Sequence, residues 1–445
     1  MNLFRTFRSR NYRLFFIGQF TSLSGTWMSM MAIAWLVYRI TGDEWMLGLI
    51  PFAMHVPTFL LSPLAGALVD RWNRRTVMVC AQLLDMVSML VLAWLSLTGR
   101  VELWHVYATV ALLGVAKGFD LPARQSLVVD IIDHRDDLPN AIALNSSMFQ
   151  AARLIGPMLG AGVIWASGQP GVIAIFGEGQ GEGICFLLDG LSYFAVISSL
   201  LALRLSAKPE THARKHLLHD MKEGFVHAFG FRPMRALMLL IGTIALLGIP
   251  YSSLLPVIAD RVLRGNERTY SLLMSAGGLG AFLGALYLAS RDTVLGLGKV
   301  IALSTILFGL SLAMFALSSW LWLSLLLLTL AGAASMVAMA GTNTIIQTLV
   351  EDATRGRVMS FFGMTFMGAM PLGSVIAGKL ATYIGAPYTV LLGGLACVVA
   401  GLMFGWRLPV LRAIARPVYI ERGILPQWST GTQGVPGTGP ASKPS

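Results

Sequence analysis

The sequence predicts an all-α membrane protein, with twelve transmembrane helices arranged as two six-helix repeats. Three observations predict it. Of 445 residues, 55% are hydrophobic and only 12% charged, with a mean hydropathy of +0.69; a soluble domain carries about 25% charged residues. Apolar runs of membrane-spanning length, about 20 residues each, recur twelve times between short breaks of charge, Gly and Pro. A hexapeptide also recurs: Gln125-Ser-Leu-Val-Val-Asp130 and Gln347-Thr-Leu-Val-Glu-Asp352 agree at four of six positions. This composition excludes a disordered or fibrous chain and argues against a soluble enzyme.

The first run covers 11–38 behind a basic start of Arg5, Arg8, Arg10 and Arg13. It stays apolar to Val37, longer than the roughly 7–15 residues of a signal-peptide core, so it reads as an uncleaved span. The second, 46–69, ends Gly66-Ala67-Leu68, echoed by Gly284-Ala285-Leu286 at the end of the eighth. Spans at 76–97, 104–126, 140–167 and 183–205 complete a first bundle, residues 1–205. The outer loop 168–182 carries a Gly-flanked apolar run, read as a hairpin, a partial cover or a plain insertion. A basic linker, 206–232, follows. The second bundle, 233–407, holds spans at 234–259, 269–290, 299–317, 321–349, 358–384 and 387–407. A tail rich in Pro, Gly, Ser and Thr, 408–445, is expected to be mostly disordered.

Charge orients the bundle. Of 33 Lys and Arg residues, 25 fall on the side holding both termini and 5 on the other. The positive-inside rule therefore predicts cytoplasmic termini, in a bacterial inner membrane. It also accounts for the net charge of +11 through the lipid bilayer, with no nucleic-acid partner. Cys80, Cys185 and Cys397 have neither disulfide nor metal-ligand spacing and read as small packing residues. No metal or cofactor is expected, and no protein partner is required.

The loop after span 2 reads Gly66-Ala-Leu-Val-Asp70-Arg71-Trp-Asn-Arg74-Arg75. It resembles the signature loop of the major facilitator superfamily in residues and in place. As a gate, Gly66 permits close backbone approach. Asp70 suits the N-terminus of span 11, whose dipole favours an anion. Arg71 and Arg74 can pair with Asp120 or Asp130. The stretches Ser24–Met28 and Ala34–Gly42, the end of span 4 (Phe119-Asp120-Leu121-Pro122-Ala123-Arg124-Gln125) and Arg355-Gly356-Arg357-Val358-Met359-Ser360 sharpen the likeness. Together they resemble the branch holding enterobactin-exporter-like and macrolide-efflux-like transporters. The resemblance covers about 5–410 and implies export of drugs or secreted metabolites, typically coupled to protons. Gly156-Pro157-Met-Leu-Gly160-Ala161-Gly162 is similar to the superfamily's antiporter motif, although Ala161 replaces a glycine and 145–153 hold none. Span 8 ends without the loop's Asp, so the gate is expected to be asymmetric.

Charges inside spans are costly and usually functional. Arg153 could hold an anionic group of the small-molecule substrate. Arg153 and Lys117 could instead partner Asp85 or Asp120, and Asp85 could carry the proton. His55 is either a relay or a packing residue. Trp27, with neighbouring methionines, could line an adaptable cavity, and Lys379 is expected to snorkel. The segment Gly373-Ser-Val-Ile-Ala-Gly378-Lys379-Leu380 has phosphate-loop spacing but lacks the final Ser/Thr and a preceding strand. Its glycines read as helix-packing positions. Secondary efflux by alternating access is expected. Uptake, proton-independent exchange, a transporter-like sensor and a membrane-embedded enzyme are the alternatives.

Overall fold

The computed structural model describes residues 5–69, 72–132, 137–177, 179–204, 230–291, 293–350 and 354–422. Asp70 and Arg71, nearly all of the linker 206–232, and residues 423–445 lie outside them. So do the side chains at Gly66, Arg355 and Arg357.

Helices α1 (Arg10–Thr41), α2 (Glu44–Val69), α3 (Arg74–Leu97), α4 (Leu103–Asp130), α5 (Leu138–Ser167) and α6 (Gly181–Ala202) make the first bundle. The second comprises α7 (Arg232–Val262), α8 (Glu267–Ala289), α9 (Leu297–Leu317), α10 (Leu321–Leu349), α11 (Arg355–Ile384) and α12 (Ala386–Glu421). All are long and apolar enough to cross a bilayer, α5 when taken with the short helix that follows it. The duplication is visible in the packing. Helices α2–α4, α3–α4 and α3–α6 pack in the first half as α8–α10, α9–α10 and α9–α12 do in the second. Between halves, α2 packs on α11, and its symmetry mate is present as α8 on α5.

Three stretches differ from expectation. Span 12 runs past 407 to Glu421 instead of giving way to a polar tail at 408. Phe404, Leu408 and Ala415 form a buried stripe at helical spacing, and the Arg422 guanidinium donates to the Val350 carbonyl at 2.5 Å. The described part of the loop 168–182 is not a hairpin. It folds as a short helix, Pro170–Phe176, bent 87° from α5. Cys80 is exposed on its helix, whereas Cys185 and Cys397 are buried.

Helix α7 is irregular because Pro250 and Pro256 lack the amide that an α-helix needs. Two π turns absorb the break. The Ile249 amide donates to Ile244 O at 2.8 Å and the Leu263 amide to Ile258 O at 3.0 Å. The second π turn carries Asp260 and Arg261.

Candidate functional site: a midplane junction and a buried charge cluster

Both described chain ends lie on one face of the bundle, here the terminal face. The opposite face is clamped shut across the halves. The Tyr38 hydroxyl of α1 donates to Asp260 Oδ2 at 2.5 Å. Arg261 pairs with Glu44 Oε1 of α2 at 2.5 Å and donates to Gly42 O at 2.8 Å. Below the clamp, Trp35 stacks on Tyr270 with centroids 6.0 Å apart. Deeper still, Ser271 Oγ of α8 donates to the Pro157 carbonyl of α5. The inter-half polar contacts thus run from the clamped face to about the midplane.

At that depth the two halves meet around Arg153. Its guanidinium lies 5.5 Å from the centre of the Trp27 ring, a cation–π contact. Phe149 meets the same ring edge-on at 5.8 Å. The Gln150 amide reaches Met336 Sδ of α10 at 2.8 Å, and Tyr251 of α7 is within electrostatic reach of Arg153. Trp27, Gln150, Arg153 and Met336 each stand about halfway along their helices. Among the described residues, Arg153 has no carboxylate partner. Chemically, this is a cation on an aromatic and thioether wall, fit for an anionic amphiphile.

The antiporter-like motif builds that wall. A Cβ at Gly156 would stand 2.5 Å from Trp27 Cβ and 2.7 Å from Ser24 O, and one at Gly160 would strike Met31. Small residues here let α5 lie directly on α1.

The first half also buries a charge cluster. Lys117 Nζ lies 3.3 Å from Asp85 Oδ2. Asp120 pairs with Arg124 one turn along α4 and accepts from Gln82 Nε2 at 2.9 Å. Lys117 is therefore a partner of Asp85, and Arg153 is not part of that network. Asp120 is fully buried with Arg124 and Gln82, and Arg71 lies outside the described residues. Arg74 pairs with Asp130, one of the two acids expected for it, at 2.8 Å, and Arg75 donates to the Leu201 and Leu203 carbonyls at the end of α6. His55 is half-buried in α2. Lys379 is exposed over the Trp45 and Tyr383 rings, 5.3 Å from each. Gly373 and Gly378 lie inside α11, Gly373 against Leu246 and Gly378 against Glu44 and Gly48.

Sequence reasoning missed the clamp and the C-terminal half of the junction. Asp260 and Arg261 were legible only as an acid–base pair on the charge-poor side. Gln150, Tyr251 and Met336 carry no motif at all.

Two six-helix bundles related by symmetry, with a junction at the midplane, define a secondary transporter of the alternating-access type. The chain belongs to the transmembrane secretion effector family of the major facilitator superfamily, whose profile matches residues 2–418. It is similar to the staphyloferrin A transporter of Staphylococcus aureus, 26% identical over 400 residues that cover 88% of this chain and 95% of that one. It is also similar to the multidrug efflux pump Tap of Mycolicibacterium fortuitum, 25% identical over 406 residues covering 88% and 94%. A solved structure of the peptide transporter POT shares the fold, with a TM-score of 0.67 at 14% identity over 91% of this chain and 96% of that one.

Proposed function

We propose that this chain exports an amphiphilic small molecule bearing an anionic group, in exchange for protons, across a bacterial inner membrane. Its termini, the linker 206–232 and the tail after Glu421 are cytoplasmic in this reading. The observation that carries it is Arg153, a midplane cation with an aromatic neighbour and no described carboxylate, where the halves meet. A half-buried cation without an anion is costly, and a substrate carboxylate, phenolate or phosphate offsets that cost. The relative named for a siderophore supports the anionic class, and the relative named for multidrug efflux fits the apolar wall.

With the terminal face cytoplasmic, Tyr38, Asp260, Arg261 and Glu44 clamp the outer side, as a carrier that loads from the cytoplasm requires. Reorientation breaks that clamp. The loop Gly66–Arg75 then closes the inner side, with Asp70 on the start of α11 beside Arg355 and Arg357. Such contacts exist in one state only and so set the equilibrium between states.

Everted vesicles with an imposed proton gradient, read by a quenched pH dye, test this. Adding the polycarboxylate staphyloferrin A should release protons from vesicles of the wild type and not from those of Asp70→Asn, while erythromycin, an amine without an anionic group, should release none. Gradient-independent movement of labelled staphyloferrin A would refute proton coupling. A preference for uncharged compounds that survives Arg153→Gln would refute the anionic class.

A further inference from the structure

In the first half, one buried carboxylate has no cation in contact with it. Away from helix ends, the described interior holds three buried carboxylates, Asp85, Asp120 and Asp189. Of the midspan cations, Arg124 pairs with Asp120 and Lys117 with Asp85, and Arg153 lies against Trp27 on the other side of α1. That leaves Asp189 of α6. It is 1% exposed. Its nearest described polar neighbours are hydroxyls: Ser192 Oγ at 3.4 Å from Oδ1 and, on α1, Ser29, whose buried hydroxyl makes no hydrogen bond in this geometry. An ionised carboxylate in such a place is far costlier than a neutral one.

We propose that Asp189 carries the coupling proton, with Lys117 as the cation that balances it when the proton leaves. This rests on the proton-antiport reading above. The other groups facing the site are Asp85 on α3, Lys117, Asp120 and Arg124 on α4, and Cys185, Glu182 and Tyr193 on α6 itself. Helix α1 presents only Thr26 and Ser29. Lys117 is the one cation within electrostatic reach of both Asp85 and Asp189. Its side chain is 15% exposed, so the ammonium is not sealed in the core. Protonated, Asp189 leaves Lys117 to Asp85, as seen here. When the proton passes from the Asp189 carboxyl to water, the ammonium is shared between the two carboxylates, and its pull shifts from α3 toward α6.

The site has a mechanical route to the substrate. A Cβ at Gly25 would stand 2.5 Å from Asp189 Oδ1, so only glycine lets the carboxyl rest on α1. Two residues on, and therefore on the opposite side of the same helix, Trp27 carries Arg153. Helix α1 is held between the proton site and the substrate wall.

The test needs no substrate at first. In the purified full chain in lipid nanodiscs, infrared difference spectra across a pH titration should show the carbonyl stretch of a protonated carboxyl. The band should vanish in Asp189→Asn, persist in Asp85→Asn, and move to a different pH in Gly25→Ala. A band absent from the wild type, or lost in Asp85→Asn and kept in Asp189→Asn, overturns the assignment. In everted vesicles, Asp189→Asn should still exchange labelled staphyloferrin A without a gradient but release no protons. Wild-type proton release from that variant overturns the carrier role. No release from the wild type overturns the antiport reading itself, while the infrared result still locates the buried proton.

Discussion

At the residue scale, what matters is whether each buried charge has a partner. Arg124 exists to neutralise Asp120, which is wholly enclosed. Arg124→Ala should therefore lower stability by about 3–5 kcal/mol, the cost of stranding a buried ion, measured by thermal unfolding in detergent. Arg153 has no such duty. Arg153→Gln should leave the melting temperature near that of the wild type and raise the KM for an anionic substrate about tenfold, as expected for losing one charge-assisted hydrogen bond. Uptake of labelled staphyloferrin A into everted vesicles reads the effect. Arg153 stands out in the sequence as a charge in an apolar span, and Arg124 as part of the family-like stretch that ends span 4. Which of them is a structural counter-ion and which is free for a ligand depends on the neighbouring helices, and their register is not written locally.

At the element scale, close helix crossings are set by small residues. The α8–α10 crossing is so tight that a side chain at Gly280 would strike the Thr329 carbonyl on α10. Gly280→Leu should abolish the folded protein, scored by size-exclusion chromatography. Gly162→Ala, where no atom lies within 4 Å of the new methyl, should leave the elution profile unchanged. The twelve spans were legible because an apolar run of membrane length has few other fates. Their ends were less so. The last helix outruns its apolar run because Leu408 and Ala415 find a groove on α7, α9 and α10 that composition cannot reveal. The turn Pro170–Phe176 was legible as an apolar insertion, yet its bend of 87° arises from local backbone at Gly168 and Pro170.

At the scale of the whole molecule, the two halves are held by a clamp on one face. Removing it should shift the equilibrium toward the other state. In a background lacking native cysteines, Ser275→Cys is buried at the junction. A membrane-impermeant maleimide added from the clamped face should label it slowly. Adding Arg261→Ala should raise that labelling several-fold, since the variant loses both the Glu44 ion pair and the Gly42 carbonyl contact. Unchanged labelling would mean that the apolar packing of Trp35 and Tyr270 holds the face closed without the clamp.

The sequence by itself determined the class of solvent, the number of spans, the duplication and the likeness to the superfamily. Each of these is a periodic or compositional property that many residues vote on together. Tertiary structure alone decided that Lys117 serves Asp85, that Asp189 is left without a cation, that Arg153 meets Trp27 at the midplane, and that Asp260 and Arg261 reach across to helices more than two hundred positions away. Those facts depend on single contacts between distant segments, and a bilayer-spanning helix records its own polarity in its sequence but not the identity of its neighbour.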